Sequence, residues 1–426
     1  MFELETIDNG VRLLTAPRED SPSATALVMF GVGSRFEQAH QSGIAHFAEH
    51  MFFKGTERRP TARDISVEID GIGGDFNAFT GKEYTGYYVK CAAEHLDLAV
   101  DVLADMLLHS KFDPDEIERE KGVILEEMAM YRDLPQRYVG TVYDDLLFGD
   151  TPLGWDIIGT EDVIKGADRD LFTSFTDRWY TANRTVVGLS GNVSASAKAS
   201  VAEKFLALPA ANEGTREDAK WSQDDGPRVK IHYKDSEQAH LLLGVRAPGL
   251  MDGDRYALGV MNAILGGGMS SRLFTEVRER RGLCYYVYSH HDAYTDAGSL
   301  VVAAGVDVNR IDLAITTIQE EMWKLVDEGP DEAEFQKAKN YLKGKFVLGL
   351  EDTRGLIMFG ARREVVEDGF WEPAKALAAI ESITMDDVRR VAKQVFDREQ
   401  LNLAVVGPFK DQERFEKLLA PATASV

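Results

Sequence analysis

The chain has 426 residues, 44% of them apolar and 28% charged, the proportions of an ordinary globular protein large enough for roughly two to four domains. A net charge of −23 argues against nucleic acid and anionic membrane surfaces as partners. It either serves solubility alone or biases a substrate cavity toward basic peptides. No apolar run has the length of a membrane span. The start, Met-Phe-Glu-Leu-Glu-Thr, lacks the basic and apolar regions of a targeting peptide. Cys91 and Cys284 form no motif, so a reducing, cytoplasmic setting without disulfides is expected.

Residues 11–15 and 24–33 read as strands. The stretch that follows, Ile44-Ala45-His46-Phe47-Ala48-Glu49-His50-Met51-Phe52-Phe53, reads as a helix that is apolar nearly all round and therefore buried. His46 and His50 leave the same side one turn apart, with Glu49 within about 100° of each. Buried polar groups need partners. Two neutral imidazoles and a nearby carboxylate suit a zinc ion that keeps an open position, and His-x-x-Glu-His is the inverted zincin order. The plainer alternative is a pair of core histidines bonded to backbone, and a third ligand is needed to decide between them.

A helix over 62–69 ends at Gly71-Ile72-Gly73-Gly74. Residues 75–80 and 84–91, joined by Gly81-Lys82-Glu83, predict a hairpin, and 94–110 a long helix. Asp113-Pro114-Asp115-Glu116 is a helix start with an N-cap, a proline at the first position and a capping box. The helix should run to Arg132 with Ile117, Val123, Ile124, Met128 and Tyr131 on one face. With Ile117 at zero, that face centres near ~300°, and Glu120 and Glu127 fall at about 300° and about 280°. Two carboxylates in the middle of an apolar face must be paired or neutralised. Glu127 suits a third metal ligand and Glu120 an orienter of a histidine. A buried ion pair with lysine or arginine is the alternative for both.

The polar, aperiodic stretch 211–227 reads as a linker. With the linker at 213–227, the chain divides into an N-terminal repeat, 1–212, and a C-terminal repeat, 228–426. The two are related by a nearly constant offset: Pro114-Asp115-Glu116 recurs as Pro330-Asp331-Glu332, and the strand ending at Gly191 matches the one ending at Gly407. The second copy carries no ligands. Its counterpart of the histidine helix is Ala263-Ile264-Leu265-Gly266-Gly267-Gly268-Met269, Glu127 corresponds to Lys343 and Glu120 to Gln336. One zinc per chain is expected. The glycine run lacks the lysine of a phosphate loop and reads as close backbone packing.

His46-Phe47-Ala48-Glu49-His50, with Glu120 and Glu127 downstream in Glu120-Lys121-Gly122-Val123-Ile124-Leu125-Glu126-Glu127, resembles the pitrilysin family, which includes insulysin and the mitochondrial processing peptidase. A second signature runs from Leu265 to Phe274 and on through Arg278-Glu279-Arg280-Arg281-Gly282-Leu283-Cys284-Tyr285. The resemblance covers essentially the whole chain and is nearest to the short bacterial branch. It implies an α+β fold of two duplicated α/β halves, each a mainly antiparallel sheet packed with helices, together forming half of a clamshell. It implies zinc held by His46, His50 and Glu127, with Glu49 as general base and Glu120 in support. Arg278 and Tyr285 match a substrate-binding pair. Asn77, Ala78 and Phe79 lie in Asp75-Phe76-Asn77-Ala78-Phe79, which matches the edge strand that substrate joins.

The expected function is a zinc metalloendopeptidase that cleaves unfolded or presequence-like peptides inside a dimeric chamber. Because the chain carries both the zinc set and the Arg/Tyr pair, a homodimer is the simpler expectation, with a heterodimer with a paralogue as the alternative. Two rivals stand beside it: a non-catalytic scaffold subunit of the kind found in respiratory complexes, or a partner-dependent processing subunit, and a purely structural zinc site. A structural site would call for a fourth protein ligand, and neither Cys91 nor Cys284 is placed by any motif to supply one.

Overall fold

The computed structural model describes residues 2–210, 214–216, 218–219, 226–367, 369 and 372–420, so much of the expected linker lies outside the described residues. In the first part of the chain the strands are β1 (Glu3–Thr6), β2 (Arg12–Pro17), β3 (Ser23–Phe30), β4 (Asp75–Thr80), β5 (Thr85–Ala92) and β6 (Thr185–Gly191). The helices used below are α1 (Ile44–Phe52), α2 (Ala62–Asp70), α3 (Leu96–Leu108), α4 (Pro114–Asp133) and α5 (Pro135–Phe148). The later part supplies β7 (Arg228–Tyr233), β8 (Gln238–Ala247), α6 (Arg255–Gly266), β9 (Cys284–Ala293), β10 (Gly298–Asp307), α7 (Ile311–Asp327), α8 (Glu332–Gly349), α9 (Thr353–Val366) and β11 (Asn402–Gly407).

The strands form two sheets with the same plan. The first has the order β1-β2-β6-β3-β5-β4 and the second β7-β11-β8-β10-β9. In each, one pair is parallel, β2 with β6 and β7 with β11, and every other pairing is antiparallel. Strands covered on both faces are apolar without alternation. β6 is buried at every position and β3 at all but its first. β4 lies at the edge of its sheet, and its exposure alternates along most of its length as an edge strand's should.

The chain forms two compact units, and neither is continuous in sequence. Unit 1 comprises Met1–Met128, Asp156–Glu217 and Val347–Pro373; unit 2 comprises Ala129–Trp155, Asp218–Phe346 and Ala374–Val426. The first sheet is covered on one face by α9, whose Ile357 and Ala361 pack on Leu14, Leu27, Met29, Tyr88 and Val186. The second is covered by α5, whose Val139, Val142, Tyr143 and Leu147 pack on Leu242, Val301, Ala303, Ala404 and Val406. Each sheet therefore takes one covering helix from the other half of the sequence.

Local chemistry accounts for the element ends. Asp113 accepts the backbone N–H of Asp115 at 2.9 Å and starts α4, while Glu116 pairs with Arg119. Ile117, Glu120, Ile124 and Met128 are buried along α4, but Val123 is 48% exposed, which corrects its expected place on the buried face. Gly266 ends α6 against β9, where an added Cβ would stand 2.3 Å from the Ser289 nitrogen, so close packing explains the glycine there. Among the described residues no helix is long and apolar enough to cross a membrane.

Candidate metal centre

The site lies in unit 1 and begins with α1. Ile44, Ala45, Phe47, Ala48, Met51 and Phe52 bury the helix. Phe47 meets Phe172 edge-on at 4.8 Å, and Phe52 meets Tyr87 of β5 at 5.5 Å. The polar stripe of His46, Glu49 and His50 is left half-buried on the remaining side, opposite α4 and the end of β4.

α4 brings Glu127 to the histidines. Its Oε2 stands 3.8 Å from His46 Nε2 and 3.6 Å from His50 Nε2. Among the described residues this is the one group of three or more histidines, cysteines or acids whose ligand atoms all lie within 4.8 Å of one another. These contacts are too long for hydrogen bonds. Bonds of ~2.0–2.2 Å at tetrahedral angles put ligand atoms roughly 3.3–3.5 Å apart, close to what is seen.

The protonation pattern points the same way. Glu120 Oε1 lies 2.9 Å from His50 Nδ1, where the carboxylate accepts a proton carried on Nδ1, and the other ring nitrogen, Nε2, is the one on the side of Glu127. Lys54 holds the other oxygen of Glu120 at 2.5 Å. Burial raises the Glu120 pKa, but the bonds from His50 and Lys54 outweigh it and hold the carboxyl below its ordinary range. Burial, with His50 alongside, pushes His46 down to about 3, so its imidazole is neutral. Three ligand atoms thus converge, an arrangement a divalent cation fits. His46 Nδ1 is buried without a hydrogen-bond partner.

Glu49 projects beside this group rather than into it. Burial raises its pKa, against the hydroxyl of Thr80, which donates to Glu49 Oε2. Thr80 is the last residue of β4, so the strand carrying Asn77, Ala78 and Phe79 ends on the Glu49 carboxylate. Ala78 N–H is satisfied by the Asn77 side chain at 2.8 Å. Arg278 and Tyr285 are in unit 2, where the Arg278 guanidinium lies 5.9 Å from the Tyr285 ring centre and 4.6 Å from that of Phe274. Tyr285 is 76% exposed. Lys54 and Thr80 are site residues that the sequence reading did not single out. Lys54 lies one helical turn beyond His50, a spacing that marks it; nothing local marks Thr80.

Two family models match the chain: "Insulinase (Peptidase family M16)" over residues 12–161 and "Peptidase M16 inactive domain" over residues 166–342. The chain belongs to peptidase family M16. It is 36% identical over 409 residues to an uncharacterized zinc protease of Bacillus subtilis, covering 96% of this chain and 98% of the relative. It is 38% identical over 414 residues to one of Streptomyces coelicolor, covering 96% and 90%. A protease from Helicobacter pylori shares the fold with TM-score 0.88 at 24% identity, over 96% of this chain and 99% of that one. A chain of complex III from Candida albicans does so with TM-score 0.83 at 18% identity, over 98% and 100%. The inactive-domain match spans the ligand-free counterpart of the histidine helix and Gln336, and it ends one residue before Lys343.

Proposed function

We propose that the protein is a zinc-dependent endopeptidase for extended peptides, with one metal per chain. The observation that carries this reading is the convergence of His46, His50 and Glu127 beside an independently held Glu49. Relatives named zinc proteases support it.

Zinc bound by His46, His50 and Glu127 supplies Lewis acidity toward water and a scissile carbonyl. Glu49, its pKa raised by burial, takes a proton from the attacking water and returns it to the leaving amine. Glu120 keeps His50 in the tautomer that presents Nε2. The free edge of β4 accepts a peptide as an added strand, with Asn77, Ala78 and Phe79 supplying main-chain hydrogen bonds. This selects unfolded chains over folded ones. Arg278 and Tyr285 hold substrate carbonyls and the developing oxyanion, contributed by the second protomer of a homodimer that encloses the peptide as a clamshell. The presence of both residue sets in one chain favours the homodimer over a pair with a paralogue.

Glu49→Gln should retain stoichiometric zinc and lose at least about 100-fold in kcat on an unstructured peptide, the usual size of a general-base contribution. The wild type should stop cleaving on chelation and recover with zinc. Undiminished cleavage by purified Glu49→Gln protein would remove the base assignment. Chelator-resistant cleavage would remove the metal.

A further inference from the structure

Upstream of α1, the buried segment Gly33–Glu37 joins two parts of the site. Its Ser34 and Arg35 N–H groups donate to the Gly81 and Lys82 carbonyls in the turn between β4 and β5, at 3.1 and 2.8 Å. Gly33 lies so close to this turn that a Cβ would stand 2.1 Å from the Gly81 oxygen. The Arg35 guanidinium meets the Glu83 carboxylate at 2.7 Å, both side chains buried. At its other end the segment reaches the histidine helix. Glu37 is 4% exposed, and its two carboxyl oxygens accept from the Gly43 and Ala45 N–H groups at 2.9 and 2.8 Å. Those are the N-cap and the second residue of α1. Gly43 has φ +97°, and a Cβ there would come 2.5 Å from the Ile158 oxygen. The entry to the helix thus tolerates no side chain, and α1 has no cap from a residue of its own.

A nine-residue helix has little intrinsic stability and takes its phase from what fixes its ends. A rotation or one-residue slip of α1 would carry His46, Glu49 and His50 away from Glu127 together. We propose that Glu37 is a positioning residue for the metal site: its carboxyl group clamps the first turn of α1, sets the direction of all three polar side chains, and couples them to the turn of the β4–β5 hairpin. This rests on the metal reading above and adds to it a residue that touches neither metal nor substrate.

Glu37→Gln tests the proposal, because the amide keeps one acceptor and presents an N–H₂ to the second backbone donor. Glu37→Asp keeps the carboxyl group and falls one methylene short. Zinc affinity is measured by competition with a chromogenic chelator on the full chain, together with kcat, KM and thermal unfolding. The control is Val201→Ala, a fully buried position in the helix Ala195–Lys204. The expected result is a loss of roughly 10- to 100-fold in zinc affinity for Glu37→Gln, as for other groups that orient metal ligands, with lowered kcat and unchanged KM. Glu37→Asp should fall between it and the wild type, and it carries the test if Glu37→Gln does not fold. Val201→Ala should lose melting temperature and keep its zinc affinity. Wild-type affinity in both folded Glu37 variants, or an equal zinc loss in Val201→Ala at the same fall in melting temperature, overturns the proposal. A wild type that binds no zinc overturns the metal reading and the proposal together, and shows as such before any variant is compared.

Discussion

The carboxylate proposed as the base, Glu49, is oriented by a residue outside its own helix. Thr80 donates to one oxygen, and the contact comes from the end of β4, the strand proposed to receive substrate. Removing a hydrogen bond to a charged group costs about 1.5–3 kcal/mol, or roughly tenfold or more in rate if the bond acts in the transition state. Thr80→Val should therefore lower kcat by about that factor with zinc affinity unchanged, and Thr80→Ser should restore it. Single-turnover cleavage with measured metal content checks both. At this scale the sequence was legible wherever helical period alone decides: His46, Glu49 and His50 share a stripe on α1, and Glu120 and Glu127 share a face of α4. It was not legible for Thr80 or Glu37. Their partners lie on other elements, and a threonine ending a strand or a glutamate in a loop has many uses. Val123 shows the opposite error, an apolar residue counted into a buried face and found exposed.

At the scale of elements, α2, α3 and the helix Ala195–Lys204 are tied by one ion network. Arg59, only 3% exposed, bonds Glu68 of α2 and Asp101 and Asp105 of α3, while Arg58 and Lys204 also reach Asp101. Loss of the cation leaves the buried Asp105 carboxylate without its ion partner. Arg59→Ala should cost about 3–5 kcal/mol of unfolding free energy, measured by urea titration. The network also has a pH signature. The Arg58 hydrogen bond lowers the Asp101 pKa; burial opposes it, and Lys204 and Arg59 add to the lowering. Its contribution to stability is full above the unfolded value of about 3.9 and is lost as pH falls through the lower folded value. Asp101→Asn should be less stable than wild type at pH 7 and should show a shallower decline below about pH 4 in melting temperature.

For the whole molecule, the duplicated plan of the two sheets was legible from the repeat, but the ownership of the covering helices was not. An amphipathic helix announces that it needs an apolar face and not which one, and α5 and α9 occupy equivalent places in the two repeats. The structure assigns each to the sheet of the other half of the sequence. The fit is close: a Cβ on Gly188 of β6 would stand 2.5 Å from Ile357, and one on Gly360 would stand 2.4 Å from the Phe2 ring. This makes the first half of the chain an incomplete folding unit, although it holds His46, Glu49, His50, Glu120 and Glu127. A fragment of residues 1–216 would present Leu14, Leu27, Met29 and Val186 to water across the sheet face that α9 buries. It is expected to bind hydrophobic dyes, to lose cooperative unfolding and to bind zinc weakly. Adding residues 347–373, fused or as a separate peptide, should abolish dye binding and restore cooperative unfolding and zinc affinity. Cooperative unfolding and stoichiometric zinc in the bare fragment would show instead that the exchanged helix is dispensable and that the metal group is fixed by the first half alone.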